Sequence, residues 1–521
     1  MTDPTTLWFE FGPGLIVIHW PDLEADCIAC GGSLAGQGPP IKEQFPSPPS
    51  ARFLSLFTLR ALRSHTFNTL VLRYYWQRLF TMNHEGFHRR LDLVRSILSM
   101  FALEGNEITP LEYDENCPFP FNNFIYKAVL SSPATAESFM RAAHGQQPCT
   151  VMPPAEGVEA VVVRLSNPRA EGMNNTNRVE NEVASMHLAR GAVAQLGTDY
   201  VGLVPAVYAW KAATSASSKD EAGFGWTIME YKPGVPLDAH FRALSMEQKL
   251  EIIDQVAVIF SAIQGVKLPP SVTHHGGLTI DNGGQIISGQ GTLQEMEGGP
   301  WKGFVESWAF NMQGKLKEAD ASEVISGWTA NGVRANVDRM VASGLSSIIR
   351  DAGVDTTSLV LIHRDFTMNN MLFDTESKRI SAMLDFDWAA IGHPGEEFFT
   401  SFHDVKGTTR MIHSEELQKA ILTGSFGDGL AKDVANEEEH EAWELARAWD
   451  AALQKHGAIR PSDIKGMVVL EKLRSFTELL APFELANKAM LKRRSAEDIA
   501  VMRAKTEEAI VKGLEQFNVG G

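Results

Sequence analysis

A chain of 521 residues exceeds one ordinary domain, and its 44% hydrophobic content supports a substantial buried core. Its 64 acidic and 47 basic residues leave a formal charge of −17, which argues against non-specific nucleic-acid binding. Four cysteines make no disulfide framework at this length, no apolar run approaches the ~18 residues of a membrane span, and no basic start leads into an apolar leader, so a cytoplasmic protein without a transmembrane segment is expected.

Residues 1–85 read as an extension separate from the rest. Phe11 to Trp20 suits a short strand, and residues 31–50 are Gly/Pro/Ser-rich and linker-like. Cys27-Ile28-Ala29-Cys30 stands alone. Zinc needs four ligands and no second pair follows nearby, so no metal site is assigned there. Residues 51–81 are apolar and basic, with Arg52, Arg60, Arg63, Arg73 and Arg78. They suit an amphipathic or poorly ordered extension better than a membrane-surface helix.

Leu91, Leu93, Val94, Ile97 and Leu98 give residues 86–104 the apolar face of a helix. Residues 121–130, FNNFIYKAVL, read as the first strand of a small lobe, followed by a Ser/Thr/Ala-rich insert and a possible second strand at 149–152. Ala160 to Leu165, AVVVRL, is a buried-strand pattern that carries Arg164. Asn174 to Asn177 offer N-caps to a helix over 178–190, whose inward stripe is Val179, Val183 and Met186. Further strands are expected at 203–210 and 226–231.

Ser245-Met246-Glu247-Gln248 spells a capping box, continued at helical spacing by Leu250, Ile253, Ala257 and Phe260. The Gly-rich stretch 276–289 reads as a hairpin turning at Asn282-Gly283 rather than as a phosphate loop. Helices are expected over 302–318 and 333–350, then over 414–422, 436–456, 464–480 and 495–516. Trp443, Trp449, Phe476 and Phe483 are read as core.

The chemistry concentrates in residues 359–374, LVLIHRDFTMNNMLFD, and 380–394, ISAMLDFDWAAIGHP. Asp365 and Asn370 stand five apart on a loop between two short apolar strands, and Asp385 ends the next strand. Phosphoryl transfer needs a carboxylate to orient a hydroxyl and take its proton, and oxygen ligands for Mg²⁺ on the nucleotide. Asp365 suits the first role; Asn370 and Asp385 suit the second. His363 suits support of the loop from within, and Asp387 is left as a further metal ligand or a turn residue.

These residues resemble the aminoglycoside phosphotransferase family of the protein-kinase-like superfamily, whose loop reads His-Gly-Asp-x₄-Asn and whose metal-binding Asp opens an Asp-(Trp/Phe)-(Glu/Asp)-x-Ala run. Here these are His363-Arg364-Asp365 and Asp385-Phe386-Asp387-Trp388-Ala389. Arg364 replaces the family's Gly, and Glu397 falls where an Asp braces the loop. The resemblance implies an α+β fold of two lobes. Residues 86–232 form a small β-sheet-plus-helix lobe and residues 233–521 a larger, mainly helical lobe with the acceptor site.

It further implies that Arg164 meets the nucleotide phosphates and pairs with Glu182, in preference to Glu180. The hinge implied at 226–232 offers the Glu230 carbonyl and the Lys232 amide to adenine, with Met229 behind the base. No G-x-G-x-x-G stands where the nucleotide-covering loop is expected. The implied activity is transfer of the ATP γ-phosphoryl group to a hydroxyl of a small molecule, with ATP and Mg²⁺ as cofactors. A protein serine/threonine kinase is the second reading, opposed by Asp387 in place of Gly and by the lack of an Ala-Pro-Glu triplet. A catalytically silent binding scaffold is the third, favoured by the glycine-poor loop and opposed by the intact Asp365, Asn370 and Asp385.

Overall fold

A computed structural model describes residues 83–114, 117, 120–140, 146–170, 172–214, 220–293, 298–410, 414–427 and 437–517, and the backbone of 6–11 and 14–19. The chain divides into two compact units between Leu79 and Phe80. In the first, Thr6–Phe11 (β1) and Gly14–His19 (β2) pair antiparallel, with Phe11 opposite Gly14. The Cys27/Cys30 pair, the linker-like stretch and the basic stretch at 51–81 lie outside the described residues.

The second unit has a two-lobed α+β, protein-kinase-like fold. Its small lobe is a five-stranded antiparallel sheet made of Gly105–Leu111 (β3), Asn123–Ala134 (β4), Val158–Ser166 (β5), Val207–Lys211 (β6) and Trp226–Glu230 (β7), in the order β3-β4-β5-β7-β6. Alternation along β4 buries Phe124, Tyr126, Ala128 and Leu130. These residues pack with Val161, Val163 and Leu165 of β5 and with Val94, Ile97 and Leu98 of helix α1, Phe87–Ser99. Helix α2, Arg178–Val193, belongs to a different core. Its Val179, Val183, Met186 and Val193 join the continuous apolar interior of the large lobe.

Two strand expectations are corrected. The first strand of the small lobe is β3, and FNNFIYKAVL falls on the second. β3 reads Gly-Asn-Glu-Ile-Thr-Pro-Leu and buries no residue fully, so no apolar alternation marks it. Residues 149–152 form no strand, although the Val151 N–H donates to the Val207 carbonyl at 2.8 Å.

In the large lobe, Met246–Gln264 (α3) begins at Ser245 with a complete capping box. The Gly-rich stretch is the hairpin Gly277–Ile280 (β9) and Ile286–Gly289 (β10). Its turn is closed by Asp281, with the left-handed residue at Gly284 rather than at Asn282. Phe304–Ala321 (α4) follows, then Val333–Arg339 and Leu345–Asp351 joined through a π-helical turn.

Val360–Ile362 (β11) pairs with Ala390–Gly392 (β14). Met371–Asp374 (β12) lies between Arg379–Met383 (β13) and the short strand Val235–Pro236 (β8). Helices Glu437–His456 (α5), Met467–Leu480 (α6) and Ala496–Gln516 (α7) complete the lobe. Trp449 and Phe476 are core, whereas Trp443 is half-buried and Phe483 is 50% exposed. Phe483 opens a one-turn helix that turns Leu485 inward instead. Among the described residues no helix is long and apolar enough to cross a membrane.

Candidate active site

The β12–β13 register sets Met371 opposite Met383, so Asn370 and Leu384 leave the same end of the hairpin. The Leu384 N–H donates to the Asn370 carbonyl at 2.8 Å, and Asp385 follows directly. The Asn370 side-chain amide donates to Asp365 Oδ2 at 2.7 Å and to the Asp365 carbonyl at 2.9 Å. Its nitrogen is thereby committed, which leaves Oδ1 as the atom available to a cation. Asp385 is held in the left-handed region at φ 57°, and its side chain is 45% exposed.

One amide oxygen and one carboxylate fit Mg²⁺, which takes few protein oxygens and completes its shell with phosphate and water. Among the described residues no group of three or more His, Cys, Asp or Glu forms a self-sufficient metal cage.

The loop carrying Asp365 is braced from beneath. Arg364 sits at φ 66°, where glycine is favoured and a bulky residue is strained. Glu397 holds that turn, accepting from the His363 N–H at 2.6 Å and the Arg364 N–H at 2.9 Å. Burial raises the Glu397 pKa against the pull of these donors and of Ser401, whose hydroxyl donates to it at 2.5 Å. Ser401 Oγ also accepts from the Phe366 N–H at 2.9 Å, and Asp404 from the Met368 N–H at 2.8 Å.

His363 is fully buried, and burial lowers its pKa to about 4. The neutral ring faces the Leu384 carbonyl through Nε2 at 3.1 Å, which ties the Asp365 loop to the Asp385 loop.

Above this pair of loops runs a buried chain of ions. Arg164 contacts Glu182, Asp385 at 2.9 Å and Asp387 at 3.2 Å. Burial opposes its charge, but Glu182, Asp385 and Asp387 outweigh burial and raise its pKa. Burial pushes the Glu182 carboxyl up, against Arg164. Glu180 is half-buried on the same helix, and Arg164 pairs with Glu182 instead.

Asp387 is enclosed. Arg178 donates Nε to Oδ1 at 2.8 Å and Nη2 to Oδ2 at 2.5 Å, and Asn123 adds a bond at 3.0 Å. Burial would raise the Asp387 pKa, but Arg178 and Arg164 hold it at about 2. Of the two alternatives left by the sequence, the turn residue is found: the Ala389 N–H donates to the Phe386 carbonyl at 3.1 Å around Asp387, whose oxygens are engaged by Arg178, Asn123 and Arg164.

The expected hinge residues lie at the end of β7. Met229 is buried, and Glu230 binds the Ala206 N–H at 3.0 Å and Lys232 Nζ at 2.6 Å through its carboxylate. Lys232 also lines a cavity of about 390 Å³ together with Gly202, Leu203, Asp374, Arg379 and Ser381. None of Arg164, Glu182, Asp365, Asn370 or Asp385 lines it, so this cavity is set apart from the chemistry.

The segment joining β3 to β4, residues 112–122, contains no glycine. Glu112 opens it at φ 51°. Its surface is accessible, yet protein packed around it pushes its carboxyl up. Asp385 and Asp238 add to that push, and Arg164 opposes it.

Sequence reading missed Arg178 and Glu112. Arg178 carried a signal: a cation in the first turn of a helix opposes the helix dipole and calls for a carboxylate partner. Glu112 carried none, because its strand was not recognised.

Solved structures similar to this chain are remote. A candidate aminoglycoside phosphotransferase from Ralstonia eutropha is 14% identical over 82% of this chain and 98% of its own, with a TM-score of 0.42. A gentamicin complex of an APH(2″)-IIa enzyme is 11% identical over 80% and 95%, at 0.39. The ethanolamine kinase of Plasmodium vivax is 10% identical over 78% and 82%, at 0.34. At those scores the likenesses carry no argument about substrate. No curated protein matches the chain. The model of the phosphotransferase enzyme family (APH) matches residues 155–433, more than half of the chain, and the chain belongs to that family.

Proposed function

We propose that this chain transfers the γ-phosphoryl group of ATP to a hydroxyl of a small molecule. The observation that carries the reading is the bond between Asn370 and Asp365 Oδ2, with Leu384 bonded to Asn370 beside it. It gathers a carboxylate, an amide oxygen and Asp385 at the mouths of two adjoining loops. Asp365 orients the acceptor hydroxyl and takes its proton. Asn370 Oδ1 and Asp385 hold Mg²⁺, which when bound neutralises charge on the nucleotide phosphates. Arg164, positioned by Glu182, meets the phosphates. The Glu230 carbonyl and the Lys232 amide meet adenine in front of Met229. A screen of hydroxyl acceptors that follows ADP release tests this. An acceptor-dependent signal lost in Asp365→Asn supports it, and an equal signal in that variant contradicts it.

Of the alternatives, the catalytically silent scaffold has an observation in its favour, Glu112. Its carboxyl feels the charges of Asp385 and Arg164, and negative charge there opposes a polyphosphate. Absence of any nucleotide binding would select that reading.

A further inference from the structure

Helix α2 carries more than Glu182. Its first-turn residue Arg178 and its fourth residue Asn181 are three apart, so they share a face, and both reach the segment that follows Asp385. Arg178 grips Asp387 with Nε and Nη2, at 2.8 and 2.5 Å. The same guanidinium donates to the Asn122 carbonyl at 2.9 Å and the Asn167 carbonyl at 3.2 Å, which fixes the fork from behind.

Asn181 is wholly buried and fully engaged. Its amide donates to the Ala389 carbonyl at 2.7 Å and to Thr292 Oγ1 at 3.2 Å, and its oxygen accepts the Leu278 N–H at 2.6 Å. Asp387 and Ala389 are thus held at two points, two and four residues beyond Asp385.

The helix is itself fixed to the large lobe. Asn177, expected as an N-cap, makes no capping bond. It donates instead to the Leu278 and Gln290 carbonyls at 2.7 and 3.0 Å. Asn174 adds bonds to Gln290 and Gly291 at 2.9 and 3.1 Å. The hairpin β9–β10 lies so close that a Cβ on Gly277 would stand 2.0 Å from the Gln290 carbonyl oxygen and 2.7 Å from Asn181 Oδ1.

A bidentate Arg–carboxylate pair and a saturated buried amide give directional contacts that a point charge or an apolar side chain does not reproduce. The loop is therefore pinned on its buried side, while Asp385 is the one exposed residue of 385–389.

We infer that Arg178 and Asn181 are positioning residues, which clasp the 385–389 segment to α2 and so set where Asp385 stands for the nucleotide-bound cation. The inference rests on the phosphotransfer reading above. It makes one helix the reference for both ends of the chain Glu182–Arg164–Asp385.

The test is a Mg²⁺ titration of the full chain at fixed ATP, read as the melting-temperature shift. In Arg178→Gln and Asn181→Ala the half-saturating Mg²⁺ concentration is expected to rise roughly tenfold, as for other outer partners of metal ligands. The double variant is expected to move no further than the worse single one, because both act through the same segment. Thr292→Val cuts only the hairpin side of Asn181 and is expected to lower the melting temperature without moving the Mg²⁺ midpoint. If the first two variants do not fold, Arg178→Lys decides. It keeps the charge and loses the fork, and an unmoved midpoint there overturns the inference.

A wild-type response with unchanged midpoints in all variants also overturns it and leaves the phosphotransfer reading standing. No response in the wild-type protein overturns both.

Discussion

Arg364 occupies a backbone conformation suited to glycine, and the residues around it are arranged to hold it there. Glu397 takes both N–H groups of the turn, and Arg364 Nη2 reaches Glu396 at 3.2 Å. Removing the Glu397 carboxylate leaves two buried donors without an acceptor, each worth about 1–3 kcal/mol. Glu397→Ala is therefore expected to lower unfolding free energy by about 3 kcal/mol, measured by urea denaturation. It is also expected to reduce turnover, because the loop under Asp365 loses its brace. A stability loss within 0.5 kcal/mol, the ~0.5 kcal/mol scale of ordinary surface substitutions, would contradict the bracing role.

At the scale of elements, helix α2 and the hairpin β9–β10 are joined by close polar contacts, Asn181 and Asn177 bonding Leu278 and Gln290. Gly277 permits them, since any Cβ there meets the Gln290 carbonyl oxygen and Asn181. Gly277→Ala is expected to destabilise the protein by about 1–3 kcal/mol, the usual penalty for overpacking, seen as a lowered midpoint in thermal unfolding. An unchanged midpoint would mean that the hairpin moves aside freely.

Elements whose pattern is local were legible in the sequence. AVVVRL reads as a strand from its own residues, and Ser245 to Gln248 spells its cap. β3 was not legible, because an edge strand with polar residues and a proline shows no alternation. Its loss displaced the expected nucleotide-covering loop to residues beyond β4. The pairing of Arg164 with Glu182 came from the resemblance, whereas the first-turn cation Arg178 signals only that a carboxylate is needed, and the one it grips, Asp387, lies 209 positions away.

At the scale of the whole molecule, the small lobe has its own apolar core, while α2 shares the core of the large lobe. Buried histidines of that large lobe set an acid limit, His275 and His393 alongside His363. Burial lowers the pKa of His275 to about 4, with His274 adding to it, and burial lowers His393 to about 4, with His275 adding to it. Both folded values lie below the unfolded value near 6.5, so the unfolded chain takes up protons first. Their contribution is complete above about pH 6.5 and is lost as pH falls toward 4. The loss is on the order of 2 kcal/mol per residue by pH 5. Unfolding free energies measured from pH 7.5 to 4.5 should fall accordingly. His393→Asn, whose oxygen can replace Nδ1 as acceptor for the Gly395 N–H, should flatten the curve. A curve equally steep in that variant would contradict the assignment.

The central claim is that Asp365, Asn370 and Asp385 divide proton transfer from cation holding. Calorimetric titration of ATP with Mg²⁺ into wild-type, Asp365→Asn and Asp385→Ala proteins, paired with turnover on whichever acceptor proves active, tests it most directly. The account predicts near wild-type binding in Asp365→Asn with turnover down about 10²–10⁴-fold, the range of a positioned general base, and weakened Mg²⁺-dependent binding in Asp385→Ala. Retained turnover in Asp365→Asn, or unaltered Mg²⁺-dependent binding in Asp385→Ala, would contradict it.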